Sequence, residues 1–210
     1  ISVLGKHNIR SITGAAAAGL ACGMNIEEVA AALTKIKPVS GRMNILRGIR
    51  GCTLLDDTYN ASPIAMENSL KTLYSISADH KIAVLGDMNE LGETSESEHK
   101  KIGEICDPEQ LELLITVGKM AKKHLAPIAE KNGCKVISFD TALEAGEFLK
   151  NSDIKDITIL FKGSQGGIYL EDAVKKILLD PGDAEKLVRQ SQNWKQIKAK
   201  FYDSFSQSQK

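Results

Sequence analysis

The stretch Leu54-Leu55-Asp56-Asp57-Thr58-Tyr59-Asn60-Ala61-Ser62-Pro63 decides how this chain is organised. Apolar residues lead into two carboxylates, a short polar turn follows, and Pro63 opens an amphipathic segment. Proline suits the first turn of a helix because its missing N–H would have no intrahelical partner there. The stretch therefore predicts a strand, a turn and a helix, the place where an open α/β sheet binds ligands. The same residue types also form ordinary turns, and this stretch alone does not separate the two interpretations.

Short apolar runs alternate with helical patterns over most of the chain. Strands are predicted at residues 43–49, 53–57, 81–85, 113–117, 136–139 and 157–161, and helices at residues 64–76, 95–106, 119–130, 141–150 and 167–179. Such alternation indicates βαβ units. The predicted fold class is therefore α/β, with a Rossmann-like, mainly parallel sheet covered by helices on both faces. Within the second of these helices, Ser95 and Glu98 are predicted to form a capping box.

The ends of the chain differ from this pattern. An alanine-rich helix is predicted at residues 9–22 and a shorter one after Asn25, and the Pro- and Gly-containing segment 37–42 reads as a linker or hinge. We expect three parts: residues 1–43, residues 44–180, and a helical tail at residues 181–210 with a disordered end. Because residue 1 is Ile rather than Met, we expect the chain to be a piece of a longer protein.

Composition excludes several classes of function. The 27 basic and 27 acidic residues balance, which argues against nucleic-acid partners and against a polybasic membrane patch. No apolar run approaches the roughly 18 residues of a transmembrane helix, and no signal peptide is visible. The four cysteines form no Cys-x-x-Cys motif, so they are interpreted as buried free thiols.

Polar groups follow three of the predicted strands. They are Asp57 with Tyr59 and Asn60, Gly86-Asp87 with Glu90, and Lys162-Gly163-Ser164. The carboxyl ends of parallel strands meet at one edge, where a carboxylate can accept hydrogen bonds from ribose hydroxyls and a lysine can hold a phosphate or carboxylate. The chain contains no phosphate loop, no Gly-x-Gly-x-x-Gly and no nucleophile elbow, and no further metal ligands accompany Asp56-Asp57.

These motifs together resemble the C-terminal part of a Mur ligase. They are Gly5-Lys6-His7-Asn8 before the alanine-rich helix, Ser40-Gly41-Arg42, Asp57-Thr58-Tyr59-Asn60-Ala61-Ser62-Pro63, Val84-Leu85-Gly86-Asp87-Met88-Asn89-Glu90-Leu91-Gly92, Ser95 with His99, and Lys162-Gly163-Ser164. The resemblance covers residues 5 to about 179. It implies that residues 1–43 are the helical end of a central ATPase domain and that residues 44–180 are the Rossmann-like C-terminal domain.

The resemblance also implies a function. The matching branch of the family adds D-alanyl-D-alanine to UDP-N-acetylmuramoyl-tripeptide during peptidoglycan synthesis, using ATP and magnesium to activate a carboxylate as an acyl phosphate. It implies a cytoplasmic, monomeric enzyme without nucleic-acid or membrane partners, and we expect these 210 residues alone to be inactive. Two alternatives stay open. One is another ligase of the superfamily, similar to folylpolyglutamate synthase. The other is a non-catalytic α/β module that binds a nucleotide or peptide.

Site residues follow from the same resemblance. His7 and Asn8 match the motif that lies against the adenine, Arg42 matches a catalytic arginine near the ATP phosphates, Asp57 matches the aspartate that binds ribose, and Asn60 lies beside it. Four residues match the edge that faces the incoming dipeptide: Asp87, Glu90, Lys162 and Ser164. No metal ligand is assigned within this chain. Two departures, Ser11 for an asparagine and Gln165 for an arginine, motivate the non-catalytic alternative.

Overall fold

A six-stranded sheet forms the centre of the protein. The structure is a computed structural model that describes residues 4, 5 and 7–208, without the side chains of residue 7 and of residues 206–208. The strands are β1 (Asn44–Arg47), β2 (Thr53–Asp57), β3 (Lys81–Gly86), β4 (Leu113–Val117), β5 (Val136–Phe139) and β6 (Thr158–Lys162). Their order is β1-β2-β6-β3-β4-β5. Edge strand β1 is antiparallel to β2, and every other pair is parallel, which confirms the predicted mainly parallel α/β sheet.

Helices cover both faces of this sheet, as predicted. The α-helices of the described part of the chain are α1 (His7–Ala21), α2 (Ile26–Leu33), α3 (Pro63–Ser75), α4 (Ser95–Ile105), α5 (Ala126–Lys131), α6 (Ala142–Asn151), α7 (Glu171–Lys176) and α8 (Gln192–Ser208). One core lies between the sheet and α3, α4 and α5, with Leu55 and Leu160 among its strand residues. The other lies between the sheet and α6 and α7, with Leu54 and Phe161. Adjacent residues of one strand therefore enter opposite cores, as the pleat requires.

Local signals explain where some helices begin. Thr141 caps α6 through a capping box with Glu144, since each side chain accepts from the other's backbone N–H. The capping box predicted for Ser95 and Glu98 is wrong. The 3₁₀ turn Gly92–Thr94 leads directly into α4, so Ser95 already has helical backbone angles and Glu98 instead pairs with Lys101.

The helix predicted at residues 167–179 is much shorter in the structure, where α7 has six residues. Gly167 (φ 73°) and Tyr169 (φ 48°) have left-handed backbone conformations, so the chain turns before it can enter a helix. The backbone N–H groups of residues 163–167 therefore do not form the N-terminus of a helix, because α7 begins only at Glu171.

The last part of the chain forms a 3₁₀ turn, Pro181–Lys186, and then α8. Arg189 has a left-handed backbone (φ 56°), and α8 begins after it, at Gln192. The helix extends to Ser208, further than its polar composition predicts, and residues 209 and 210 lie outside the described residues. The division of the chain into three parts stays a prediction. No helix among the described residues is long and apolar enough to cross a membrane.

Candidate functional site

The three polar strand ends lie side by side in the sheet. Strands β2, β6 and β3 are neighbours, and Asp57 is directly opposite Lys162 in the parallel register. Lys162 also pairs with Leu85 of β3, and Asp87 lies just after the end of that strand. The predicted gathering of these residues at one edge is therefore confirmed by the strand order.

Asp57 and Lys162 form a buried ion pair. Lys162 Nζ lies 2.8 Å from Asp57 Oδ2, and the Lys162 side chain is 1% exposed. The ammonium also donates to the backbone carbonyl of Asn60 at 2.9 Å. Asp57 accepts two further hydrogen bonds, from Ser69 Oγ at 2.6 Å and from the Met43 N–H at 3.2 Å. Burial lowers the pKa of Lys162, and the Asp57 carboxylate opposes that shift.

Asp56, the other carboxylate of the motif, points to the opposite face of β2. Its Oδ2 accepts from the Gly41 N–H at 3.1 Å, and its Oδ1 accepts from Thr58 Oγ at 2.6 Å. The residue is fully buried, and this burial raises its pKa to about 6, although the hydrogen bonds from Thr58 and Gly41 lower it. Asp56 therefore joins the linker to the end of β2. No role is predicted for Asp56 from the sequence.

The linker is held at its C-terminal end by backbone contacts. The Tyr59 N–H donates to the Gly41 carbonyl at 3.0 Å, in addition to the Gly41–Asp56 and Met43–Asp57 bonds. Gly41 has φ 68°, and a Cβ there would lie 2.9 Å from the Tyr59 nitrogen. Only glycine fits this close approach without strain. These contacts hold residues 41–43 against the end of β2.

A cleft of about 600 Å³ lies beside the ion pair. Asn8 of α1, Arg42 of the linker, Asp57 and Lys162 all line it, together with apolar side chains that include Ile12 and Pro38. This volume is in the usual range of small-molecule sites. Four predicted site residues from distant parts of the sequence thus share one cavity.

Two cleft residues have defined contacts at its rim. The Arg42 guanidinium lies 4.3 Å from the centre of the exposed Tyr59 ring, a cation–π contact that fixes its direction. Asn8 Nδ2 donates to the Leu4 carbonyl at 2.6 Å.

The predicted site residue Asn60 lies beside the ion pair, where its side chain accepts from the Ala61 N–H at 2.9 Å. The side chain of His7, at the start of α1, lies outside the described residues.

The four residues predicted to face a dipeptide have different surroundings. Among the described residues that line the cleft, Lys162 is the one member of this set. Asp87 is buried, accepts from the Ala121 N–H at 2.7 Å, and has its pKa raised by burial. Ser164 Oγ accepts from the Asn89 N–H at 2.8 Å and donates to the Ala61 carbonyl at 3.3 Å. Glu90 is exposed.

His99, which belongs to the same motif set, holds the segment that follows β3. It is fully buried, and its Nε2 accepts from the Met88 N–H at 3.0 Å. Its Nδ1 therefore carries the proton and donates to the Ser95 carbonyl at 2.7 Å. The imidazole thus links α4 to the segment between Asp87 and Glu90.

The sequence does not predict a buried charge cluster that lies on the other face of the sheet, beside α7. Arg189 donates to both carboxylate oxygens of Glu171 at 2.8 Å and to the carbonyls of Thr58 and Tyr59. Lys198 of α8 donates to Glu171 and Asp172 at 3.3 and 2.6 Å. A basic residue in a polar tail gives no sequence signal for burial, because its partners lie up to 131 residues away along the chain.

Comparison with known proteins identifies the family. The model of the "Mur ligase, glutamate ligase domain" matches residues 41–165, which include both carboxylates of the motif and Lys162. The chain belongs to the Mur ligase family. Asn8 and Arg189 lie outside the matched residues.

Individual Mur ligases are similar over a longer stretch. The UDP-N-acetylmuramoyl-tripeptide–D-alanyl-D-alanine ligase of Bacillus subtilis is 32% identical over 189 residues, which cover 86% of this chain and 40% of the relative. The ligase of the same name from Escherichia coli is 31% identical over 173 residues, covering 82% of this chain and 37% of the relative. The chain thus spans well under half the length of these Mur ligases.

Solved Mur ligase structures agree in fold. A structure of MurF from Acinetobacter baumannii has a TM-score of 0.70 and 30% identity, over 81% of this chain and 37% of that one. MurF ligase from Thermotoga maritima, solved in complex with ADP, has a TM-score of 0.56 and 29% identity, over 69% of this chain and 32% of that one.

Proposed function

We propose that the chain provides the C-terminal portion of an ATP-dependent ligase that adds D-alanyl-D-alanine to UDP-N-acetylmuramoyl-tripeptide in peptidoglycan synthesis. The observation that carries this proposal is the single cleft lined by Asn8, Arg42, Asp57 and Lys162. Its support from relatives is the similarity to enzymes with that name, and to a MurF ligase that binds ADP.

The cleft fits a nucleotide in size and chemistry. Apolar side chains such as Ile12 and Pro38 offer a surface for an adenine ring, and Asn8 offers an amide for its polar edge. The Asp57 carboxylate has about four acceptor positions and uses three of them within the protein. The remaining position can accept a ribose hydroxyl. His7, at the start of α1, is proposed to lie against the adenine as well.

The charged residues divide the remaining work. Arg42 lies at the rim, where its guanidinium can stabilise charge that develops on transferring phosphate. Lys162 acts on the nucleotide indirectly, since its ammonium holds both the Asp57 carboxylate and the Asn60 carbonyl in place. These contacts fix the ribose-binding group before the nucleotide arrives, which reduces the ordering that binding requires.

The incoming dipeptide carries an ammonium and a carboxylate. Exposed Glu90, after β3, can bind the ammonium directly, whereas Asp87 and Ser164 are engaged within the protein and shape the two loops around it. Magnesium would enter with the nucleotide phosphates. Within the described part of the chain, no three His, Cys, Asp or Glu side chains are grouped as a metal site, so we assign it no ligand here.

The test is an assay of the longer ligase that carries this chain. We expect ADP formation that requires both UDP-N-acetylmuramoyl-tripeptide and D-alanyl-D-alanine, with the extended peptide detected by mass spectrometry. Glutamate in place of the dipeptide should give no product, and neither should the 210-residue chain alone. ADP formation that depends on glutamate and a folate would overturn the proposal in favour of the synthase-like alternative. Absence of any turnover would favour the binding module.

A further inference from the structure

The segment before α8 contacts the motif loop that follows β2. Arg189 Nη2 donates to the Thr58 carbonyl at 2.6 Å, and Nη1 donates to the Tyr59 carbonyl at 3.0 Å. The side chain is 4% exposed, so water does not compete for these bonds. Both carbonyls belong to the short connection between Asp57 and Asn60. The guanidinium therefore holds the backbone of that connection from the face opposite the cleft.

Arg189 is itself fixed by a second set of contacts. Its Nε and Nη2 form two parallel bonds of 2.8 Å with the carboxylate of Glu171, which is fully buried. A planar guanidinium bound in this way cannot rotate without breaking both bonds. The same guanidinium also donates to the carbonyls of Thr58 and Tyr59. Glu171 therefore fixes the position of these two carbonyls through Arg189.

The same segment touches the linker. Val188 is buried, and its Cγ1 would lie only 2.8 Å from a Cβ on Gly41, which shows how closely the two backbones approach. Gly41 in turn accepts from the Tyr59 N–H and precedes Arg42. The neighbours Val188 and Arg189 therefore contact both sides of the junction between the linker and the motif loop.

Helix α8 anchors this arrangement to the loop that follows β6. Phe201 packs edge-to-face on Tyr169 with ring centres 5.4 Å apart, and Trp194 does so at 6.5 Å. Lys198 pairs with Glu171 and Asp172, and the Tyr202 hydroxyl donates to Asp172 at 3.0 Å. The helix thus supports the turn after Ser164 and the carboxylate that holds Arg189.

We propose that Arg189 is a positioning residue for the nucleotide site, and that it sets the conformation of residues 58–60 from a C-terminal segment outside the matched family domain. The proposal rests on the proposed function, because it assigns the loop to nucleotide binding. Its consequence is that substitutions at Arg189, which does not line the cleft, weaken nucleotide binding more than equally destabilising changes elsewhere in the cluster.

Two variants separate positioning from general stability. Arg189→Lys keeps a cation beside Glu171 but removes the planar fork that reaches two carbonyls. Lys198→Met weakens the same buried cluster without contacting residues 58–60. Each should lower the melting temperature by about 5–10 °C, because each removes part of a buried ionic network. Wild type and both variants are then compared at one temperature, at least about 15 °C below the lower of the two variants' melting temperatures. This margin is roughly twice the expected drop in melting temperature, so all three proteins are folded.

The first measurement is amide hydrogen exchange of the 210-residue chain without nucleotide. We expect exchange of the peptide covering residues 56–62 to accelerate at least about tenfold in Arg189→Lys and to stay within about twofold of wild type in Lys198→Met. Equal exchange in the two variants, or no change in either, would overturn the positioning role. This readout does not depend on whether the site binds ATP.

The second measurement is the dissociation constant for ADP in the longer ligase. We expect Arg189→Lys to raise it about tenfold and Lys198→Met to change it less than about twofold, since tenfold corresponds to one misplaced hydrogen-bonding group. If the wild-type ligase binds no ADP, the proposed function fails while the exchange result still stands. If wild type binds ADP and Arg189→Lys binds it equally well, the positioning proposal fails alone.

Discussion

Lys162 Nζ lies 2.8 Å from Asp57 Oδ2, and both side chains are buried at directly opposed positions of β6 and β2. The residue that the resemblance assigns to the dipeptide edge therefore lines the cleft that we propose for the nucleotide. A strand-end carboxylate in solvent would cost about 1 kcal/mol or less to remove. Asp57 is different because it is buried, so its negative charge is stabilised by three donors inside the protein rather than by water.

We predict that Lys162→Met lowers the free energy of unfolding by about 3–5 kcal/mol, because it leaves the Asp57 carboxylate buried without a counter-charge. The double variant Asp57→Asn/Lys162→Met should recover at least about 2 kcal/mol of this loss, since Asn can still accept from Met43 and donate to Ser69 Oγ. Urea denaturation of the 210-residue chain measures both. A Lys162→Met protein within about 0.5 kcal/mol of wild type would contradict the buried pair.

Asp56 should make stability depend on pH. Its pKa is raised from 3.8 to about 6 by burial, so the folded state holds a proton that the unfolded state has lost between these values. The contribution of Asp56 to the free energy of unfolding is fully present below pH 3.8 and is lost as the pH rises through about 6. A rise in the pKa from 3.8 to about 6 corresponds to about 3 kcal/mol of stability.

Asp56→Asn tests this prediction, because an amide imitates the protonated acid. Its oxygen can accept from the Gly41 N–H while its nitrogen donates to Thr58 Oγ, but that nitrogen cannot accept the 3.3 Å hydrogen bond that the Thr58 N–H makes to Oδ1. We expect the variant to lie within about 1 kcal/mol of wild type near pH 4, and to gain up to about 3 kcal/mol relative to wild type as the pH rises to 7. Urea denaturation across this range gives the difference, and a difference that stays constant with pH would rule out the raised pKa.

Asp56 and Asp57 show which features of the site could be predicted from the sequence and which could not. The alternation of strands and helices, and the polar residues at the strand ends, were enough to predict the sheet and to bring Asp57 and Lys162 to the same edge of it. They did not predict the ion pair between the two, which depends on the strand order. Alternation in a strand sends Asp56 and Asp57 to opposite faces. Which of them faces the cleft depends on how α3 and the linker pack, and those contacts are long-range.

The errors have a similar origin. The helix predicted at residues 167–179 is too long because the left-handed residue Tyr169 interrupts it, and the left-handed residue Arg189 likewise precedes α8. Neither Tyr169 nor Arg189 is a glycine or asparagine, the residues that usually signal such a backbone conformation. Burial of Arg189 and Lys198 follows from Glu171, which reads as an ordinary acidic residue at a helix start. Charge pairs of this kind become visible only when the fold brings their members together.

Arg42 and Tyr59 give a prediction about turnover. If the guanidinium stabilises phosphate charge, Arg42→Met should lower kcat of the longer ligase about 100-fold. Tyr59→Leu removes the ring that directs Arg42 and should lower kcat about twofold to fivefold, the size of an exposed cation–π contact. Tyr59→Phe keeps the ring and serves as the control, with kcat unchanged. Steady-state ADP formation at saturating ATP measures all three, and equal losses for Tyr59→Leu and Tyr59→Phe would implicate the hydroxyl instead.

Ser164 separates a substrate contact from a structural one. Its hydroxyl joins the loops after β2 and β3, because it accepts from Asn89 and donates to Ala61. We therefore expect Ser164→Ala to lower the free energy of unfolding by about 1–2 kcal/mol, and to change the KM for D-alanyl-D-alanine less than about twofold. Glu90→Gln is the matched comparison: it keeps the side-chain size, and loss of a charged hydrogen bond to the dipeptide ammonium should raise that KM about tenfold. Kinetics of the longer ligase and urea denaturation of the 210-residue chain are run in parallel on both variants. A tenfold rise in KM for Ser164→Ala at unchanged stability would place its hydroxyl on the substrate after all.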